Sequence, residues 1–199
     1  MKFLITIAAL RTLRWTERLL FAAAVAMLAY CGFVLMDARN FQKGEMLHLA
    51  QVVAARPSPN LPQAVAPDLP KGLVGRIEIP RLGLSAIIME GTSDAVLRHA
   101  VGHIESTALP GQPGNVGLSA HRDTFFRPLR NIRLNDVINL TTPFGEYRYR
   151  VVSTKIVDPH EISVLADSKN DVLTLVTCYP FYFIGAAPNR FIVRAERIT

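Results

Sequence analysis

Cysteine is nearly absent from this 199-residue chain: Cys31 and Cys178 are the two it carries, and they lie in segments of very different character. A disulfide framework is excluded, and so is a Cys-rich zinc site. Charge is sparse too, at 19% of residues, and the basic excess of +6 has no single folded surface to sit on. Residues 1–40 hold five basic and two acidic groups, residues 41–72 three and two, and residues 73–199 fourteen and twelve. Half of the excess therefore borders the N-terminal apolar segment, the rest of the chain is close to balanced, and no nucleic-acid partner is expected. No internal repeat is visible, and a hydrophobic share of 50% excludes disorder as a description of the whole.

What is present begins with Leu19 to Met36, eighteen residues without a charge, preceded by Arg11, Arg14 and Arg18 and followed by Asp37 and Arg39. As a helix this run spans about 27 Å, close to the hydrocarbon thickness of a bilayer. The basic flank on its N-terminal side puts the N-terminus in the cytoplasm and everything after residue 40 outside. A cleaved signal peptide is the competing reading, with Ala24 to Ala26 as its small-residue site, but the run is longer than the 7 to 15 residues usual for such a core. Leu28-Ala29-Tyr30-Cys31 resembles a lipoprotein cleavage box except for bulky Tyr30, so Cys31 reads as membrane-buried and inert. The expected organisation is a cytoplasmic segment 1–18, a transmembrane anchor 19–36 in the lipid bilayer, a membrane-proximal region 37–72, and a folded extracytoplasmic domain 73–199 of a cell-membrane protein. Within 37–72, Phe41 to Gln51 has a helical pattern, whereas Pro57, Pro59, Pro62, Pro67 and Pro70 make the rest a semi-extended spacer.

Residues 73–199 read as strands. Gly75–Pro80, Leu84–Glu90, Asn115–Ala120, Asp136–Thr142, Glu146–Val157, Val172–Thr177 and Phe191–Ile198 are short β-rich runs bounded by turn residues. Tyr147, Tyr149 and Val151 alternate with Arg148, Arg150 and Val152 as in a half-exposed strand, while Val172–Thr177 is almost wholly apolar and β-branched, as in a central one. Helical signal is confined to Ser93–His99, with Ser93 as a cap, and to a turn or two over Phe125–Asn131. The fold class is all-β, a sandwich or small barrel with short helices, after an N-terminal transmembrane helix.

Cys178 ends the most apolar strand, and Pro180 stops that strand, presenting the thiol at a sheet edge or groove. A lone cysteine in a β core is more often a small hydrophobe, but an exported unpaired thiol invites oxidation and needs a reason to be kept. A cysteine nucleophile needs a general acid or base, and five histidines are available. His48 and His160 read as solvated, and His99 and His103 as hydrogen-bonded structural residues or a reserve base. His121 ends the strand Asn115–Ala120 as Cys178 ends its own, so pairing of the two strands would bring imidazole and thiol together. Arg190 opens the last strand and would return beside the thiol; a solvated strand-end arginine is the alternative.

Here the chain resembles the sortases. Leu175, Val176, Thr177 and Cys178 match their Leu-x-Thr-Cys signature, LPGQPGNVGLSAHRDTFFRPL around His121 is similar to their histidine region, and Arg190 falls where they carry an arginine. The ending TCYPFYFIGAAPNRFIVRA most resembles class D sortases. The resemblance spans residues 73–199 and implies a closed β-barrel of about eight strands acting as a cysteine transpeptidase. It implies Cys178 as nucleophile, His121 as general acid and base, Arg190 as stabiliser of the oxyanion or substrate, and Thr177, Ala120 and Tyr179 as substrate-binding candidates. The partners implied are proteins bearing a sorting signal like Leu-Pro-x-Thr-Gly and an amine acceptor such as a peptidoglycan precursor or a pilin. No cofactor and no metal are expected: some sortases bind calcium, but Glu105, Asp158 and Glu161 are scattered. An L,D-transpeptidase-like or other cysteine hydrolase of the cell wall lacks its characteristic strings here, and a non-enzymatic tethered β-domain is the third reading. Phe181, Tyr182 and Phe183, like Phe125 and Phe126, read equally as groove wall or core.

Overall fold

A computed structural model describes residues 7–54, 72–183 and 185–198, with side chains from residue 12 onward. The expected Pro-rich spacer lies outside the described residues. Two compact units are present, Met1–Asn40 and Phe41–Thr199, and the long helix α1 (Ile7–Ala54) contributes to both. In the first unit the helix carries a window long and apolar enough to cross a membrane, with Leu19, Leu20, Phe21, Met27 and Leu28 all exposed. The Arg18 guanidinium lies 6.0 Å from the Trp15 ring on the basic flank.

The second unit is a closed eight-stranded barrel, as the resemblance implied. Its strands are β1 (Leu73–Ile79), β2 (Leu84–Glu90), β3 (Val101–His103), β4 (Asn115–Ser119), β5 (Val137–Thr141), β6 (Glu146–Val157), β7 (Val172–Tyr179) and β8 (Asn189–Ile198), in the order β1-β2-β3-β4-β7-β8-β6-β5 around the barrel. Alternation drives the build: in β1, Ile77 and Ile79 face inward, a register shift between Leu73 and Gly75 leaves Leu73 outside the interior cluster, and a Cβ at Gly75 would overlap the Thr141 carbonyl oxygen where β5 closes the barrel. Ile77, Ile79, Ile88, Leu118, Phe126, Leu129, Ile138, Leu140, Tyr149, Leu173, Leu175 and Val193 fill the interior. Most strand pairs are antiparallel, but β2 with β3 and β4 with β7 run parallel, which requires crossovers. The first is the short helix α2 (Asp94–His99), whose expected cap Ser93 accepts from the Val96 amide at 3.4 Å.

The helical pattern over Phe41–Gln51 continues to Ala54, and within the second unit this stretch packs on the barrel. Leu49 is buried against Leu73 and Ile87, and Phe41 meets the His99 ring at 5.6 Å. Gln42 Oε1 accepts from the Ile87 amide at 2.9 Å while its Nε2 donates to the His99 carbonyl at 2.7 Å. The Ile87 N–H lies one residue before β2 begins to pair with β3, so the glutamine takes the place a strand partner would occupy.

Arg81, in the 3-10 turn Pro80–Leu82, grips Asp136 just before β5, its Nε and Nη2 both 2.5 Å from the carboxylate, and Nη2 also reaches the Asn131 carbonyl. The Arg81 guanidinium, helped by the Arg133 amide, holds the Asp136 carboxyl below its ordinary value of 3.8. Because the folded carboxyl titrates below the unfolded one, this stabilisation is complete above that ordinary value and disappears as pH falls through the folded one. Urea midpoints should therefore be lower for Asp136→Asn than for the unmodified chain at neutral pH, and the gap should close in strong acid; a gap independent of pH would refute the pairing.

Candidate active site

β7 stops at Tyr179, before Pro180, and leaves Cys178 half-buried at the strand's end. Two neighbours frame it. On one side β8 runs antiparallel, with Arg190 as the direct register partner of Cys178. On the other side β4 runs parallel, the last registered pair being Ser119 with Val176. Two residues further along each chain come His121 and Cys178. Parallel strands send successive residues out at the same end, so the imidazole and the thiol leave the barrel together although 57 positions separate them.

The tie continues past the last registered pair. The Ala120 amide donates to the Val176 carbonyl at 3.3 Å, and the Thr177 hydroxyl donates to the Ala120 carbonyl at 2.7 Å. Thr177 and Ala120 are buried at 2% and 4% exposure, and what they contact is each other's strand. His121 itself is exposed, and its carbonyl accepts from the amide of Phe126, a fully buried core residue that pins the turn after β4. Arg190 is half-buried; its Nη1 donates to the carbonyls of Ala187 at 3.4 Å and Asn189 at 3.1 Å. Tyr179 stacks on Phe191 at 6.3 Å and meets Phe181 edge-on at 6.1 Å.

Of the loop aromatics, Phe181 packs against the core, whereas Tyr182 and Phe183 are exposed at 75% and 45%. Each of the exposed rings lies under a guanidinium: Arg130 is 5.5 Å from Tyr182, and Arg122 is 5.9 Å from Phe183. Arg122 Nη2 also donates to the carbonyls of Phe183 at 2.7 Å and Gly185 at 2.9 Å. Nothing in the sequence marked Arg122, because its partners are main-chain oxygens 61 and 63 residues away.

The other histidines stand elsewhere. His103, buried on β3, places Nδ1 3.0 Å from both Glu90 oxygens and Nε2 3.0 Å from the Ala108 carbonyl, so it is a structural residue. His99 lies against Phe41, and His48 and His160 are exposed. Among the described residues no group of three or more His, Cys, Asp or Glu side chains is placed to hold a metal ion. Glu105 sits in the turn after β3, apart in sequence from Asp158 and Glu161 after β6; all three are exposed, and Asp158 accepts from the His160 amide at 2.9 Å.

Comparison with known proteins places this geometry. The Sortase domain family model matches residues 77–198. Sortase D of Bacillus subtilis (strain 168) is 33% identical over 189 residues, covering 89% of this chain and 95% of that protein. A Clostridium perfringens Sortase D5 transpeptidase superposes with a TM-score of 0.58 at 29% identity, covering 64% of this chain and 79% of that one. Sortase C1 from Streptococcus agalactiae superposes with a TM-score of 0.61 at 30% identity, covering 69% and 72%. Two of these three relatives carry the class D designation suggested by the string around Cys178 and Arg190.

Replacing Thr177 by Val keeps the shape but removes the hydroxyl that joins the ends of β4 and β7. The expected cost is about 1–2 kcal/mol, a drop of several degrees in thermal midpoint, with Thr177→Ser close to the unmodified chain. Equal midpoints for the Val and Ser variants would show that this bond carries nothing.

Proposed function

The chain belongs to the sortase family, and from that membership we propose that it is a membrane-anchored cysteine transpeptidase that cuts a sorting signal similar to Leu-Pro-x-Thr-Gly between Thr and Gly. The observation that supports the reading is the register of the three strands, in which Arg190 pairs with Cys178 while His121 and Cys178 each follow the last β4–β7 pair, Ser119 with Val176, by two residues. The similarity to Sortase D over 89% of the chain supports the same chemistry.

In this reading the signal lies extended beside the end of β7, its register fixed by main-chain hydrogen bonds. The Cys178 thiolate attacks the Thr carbonyl carbon, and the guanidinium of Arg190 faces the oxygen as it becomes an oxyanion. The Thr–Gly C–N bond then breaks, the glycine nitrogen takes its proton from the His121 imidazolium, and a thioester remains. An amine of a peptidoglycan precursor or of a pilin attacks the thioester and gives its proton to His121, and the sulfur leaves as thiolate, restoring the starting state. No step requires a metal or a cofactor. Residues 19–36 hold the enzyme in the cell membrane as a single span with the N-terminus inside, so that the domain from residue 73 works on the outer side.

The test is a fluorescent Leu-Pro-x-Thr-Gly peptide incubated with triglycine and the full chain in detergent micelles. The expected product is the triglycine amide of the Thr, absent with Cys178→Ala. Arg190→Ala should be slower by roughly a hundredfold, the usual effect of losing one oxyanion donor, about 3 kcal/mol. Cleavage that survives Cys178→Ala, or hydrolysis that no amine diverts, would overturn the proposal.

A further inference from the structure

Arg190 does not stand free in the fold. Its Nη1 rests on the carbonyl of Ala187, near the end of the loop that joins β7 to β8, and on that of Asn189, the first residue of β8, so the guanidinium is tied to the end of that loop. The start of the same loop is anchored by Phe181 against the core, whereas the next two rings, Tyr182 and Phe183, are exposed.

Arg122 supplies what burial does not. From the residue next to His121, one guanidinium nitrogen donates to two carbonyls, Phe183 at 2.7 Å and Gly185 at 2.9 Å, and the guanidinium carbon lies 5.9 Å from the Phe183 ring. Two acceptors two residues apart share one donor, and the planar group can stack while it donates, which an ammonium cannot. Among the described residues its Nη1 is buried and has no hydrogen-bond partner.

We propose that Arg122 is a positioning residue: by gripping the Phe183 and Gly185 carbonyls it fixes the β7–β8 loop and thereby sets where Arg190 stands beside Cys178. Its hydrogen bonds join the residue next to His121 to the loop that leads into β8, the strand on which Arg190 stands. The inference rests on the role given to Arg190 under the proposed function.

A double-mutant cycle decides it, using the full chain in detergent and four proteins: unmodified, Arg122→Ala, Arg190→Ala and the double variant. Loss of Arg122 should lower kcat for peptide cleavage roughly tenfold with KM little changed, yet cost less than about twofold once Arg190 is gone, because coupled residues do not add. Arg122→Lys should recover little. Hydrogen exchange of the amides in 181–187 should accelerate in Arg122→Ala, while those of β4, β7 and β8 stay protected. An equal loss of kcat in both backgrounds would make Arg122 a general stabiliser and overturn the proposal, as would unchanged exchange in the loop. If the unmodified chain forms no Thr amide, it is the proposed function that fails, and the exchange measurement still decides whether Arg122 holds the loop.

Discussion

The site depends on one constraint, the register of β7 against its two neighbours. A slip of one residue on either side would turn Cys178 to the opposite face of its neighbour's pattern and set a different residue beside it. Apolar alternation, which fixes register in β1, has little hold on β7, because Val172, Leu173 and Leu175 are buried whichever face they meet. Two buried hydroxyls supply the missing specificity. Thr174 donates to Asn115 Oδ1 at 2.7 Å near the beginning of the β4–β7 pair, and Thr177 donates to the Ala120 carbonyl at its end. Any slip would strand both hydroxyls in the core, where an unpaired polar group is costly. Asn115 is itself satisfied, since its Nδ2 donates to the Val164 and Ala166 carbonyls in the turn that leads into β7.

The barrel and its connections are stabilised by different means. Strand ladders and apolar burial hold the eight strands, whereas the pieces beyond them are attached by side chains reaching main-chain oxygens and amides. Gln42 does this for the C-terminal part of α1, Asn115 for the turn at Ile162–Leu165, and Arg122 for the loop after β7. Each attachment combines a few hydrogen bonds with limited apolar contact, Leu49 for α1 and Phe181 for the loop, so these segments can yield before the barrel does.

Much of this was legible in the amino-acid sequence. Seven strands announced themselves by β-branched runs between turn residues, and three local strings around His121, Cys178 and Arg190 carried the family resemblance. β3 escaped notice because it is three residues long with Gly102 at its centre, too short for any period to register. For the same reason His103 read as either a structural residue or a reserve base: its partner Glu90 ends a different strand, and only the β2–β3 pairing brings them to 3.0 Å. The aromatics divided in a way that composition could not foresee. Phe126 and Phe181 went to the core while Tyr182 and Phe183 stayed outside, because which ring is buried depends on the turn that presents it. The Arg122 contacts were beyond reach altogether, since a carbonyl acceptor has no residue type to recognise.

β8 lies between β7 and β6 in the barrel, yet it is the last strand the chain supplies. Its pairing with β7 closes only a short loop, whereas its pairing with β6 reaches past β7 to an earlier strand and carries the larger loop-closure cost. A nascent or truncated chain that ends before residue 189 already carries the thiol but has neither the guanidinium nor a closed wall behind it. The wall on that side of Cys178 is therefore built from the residues the ribosome adds last in this domain.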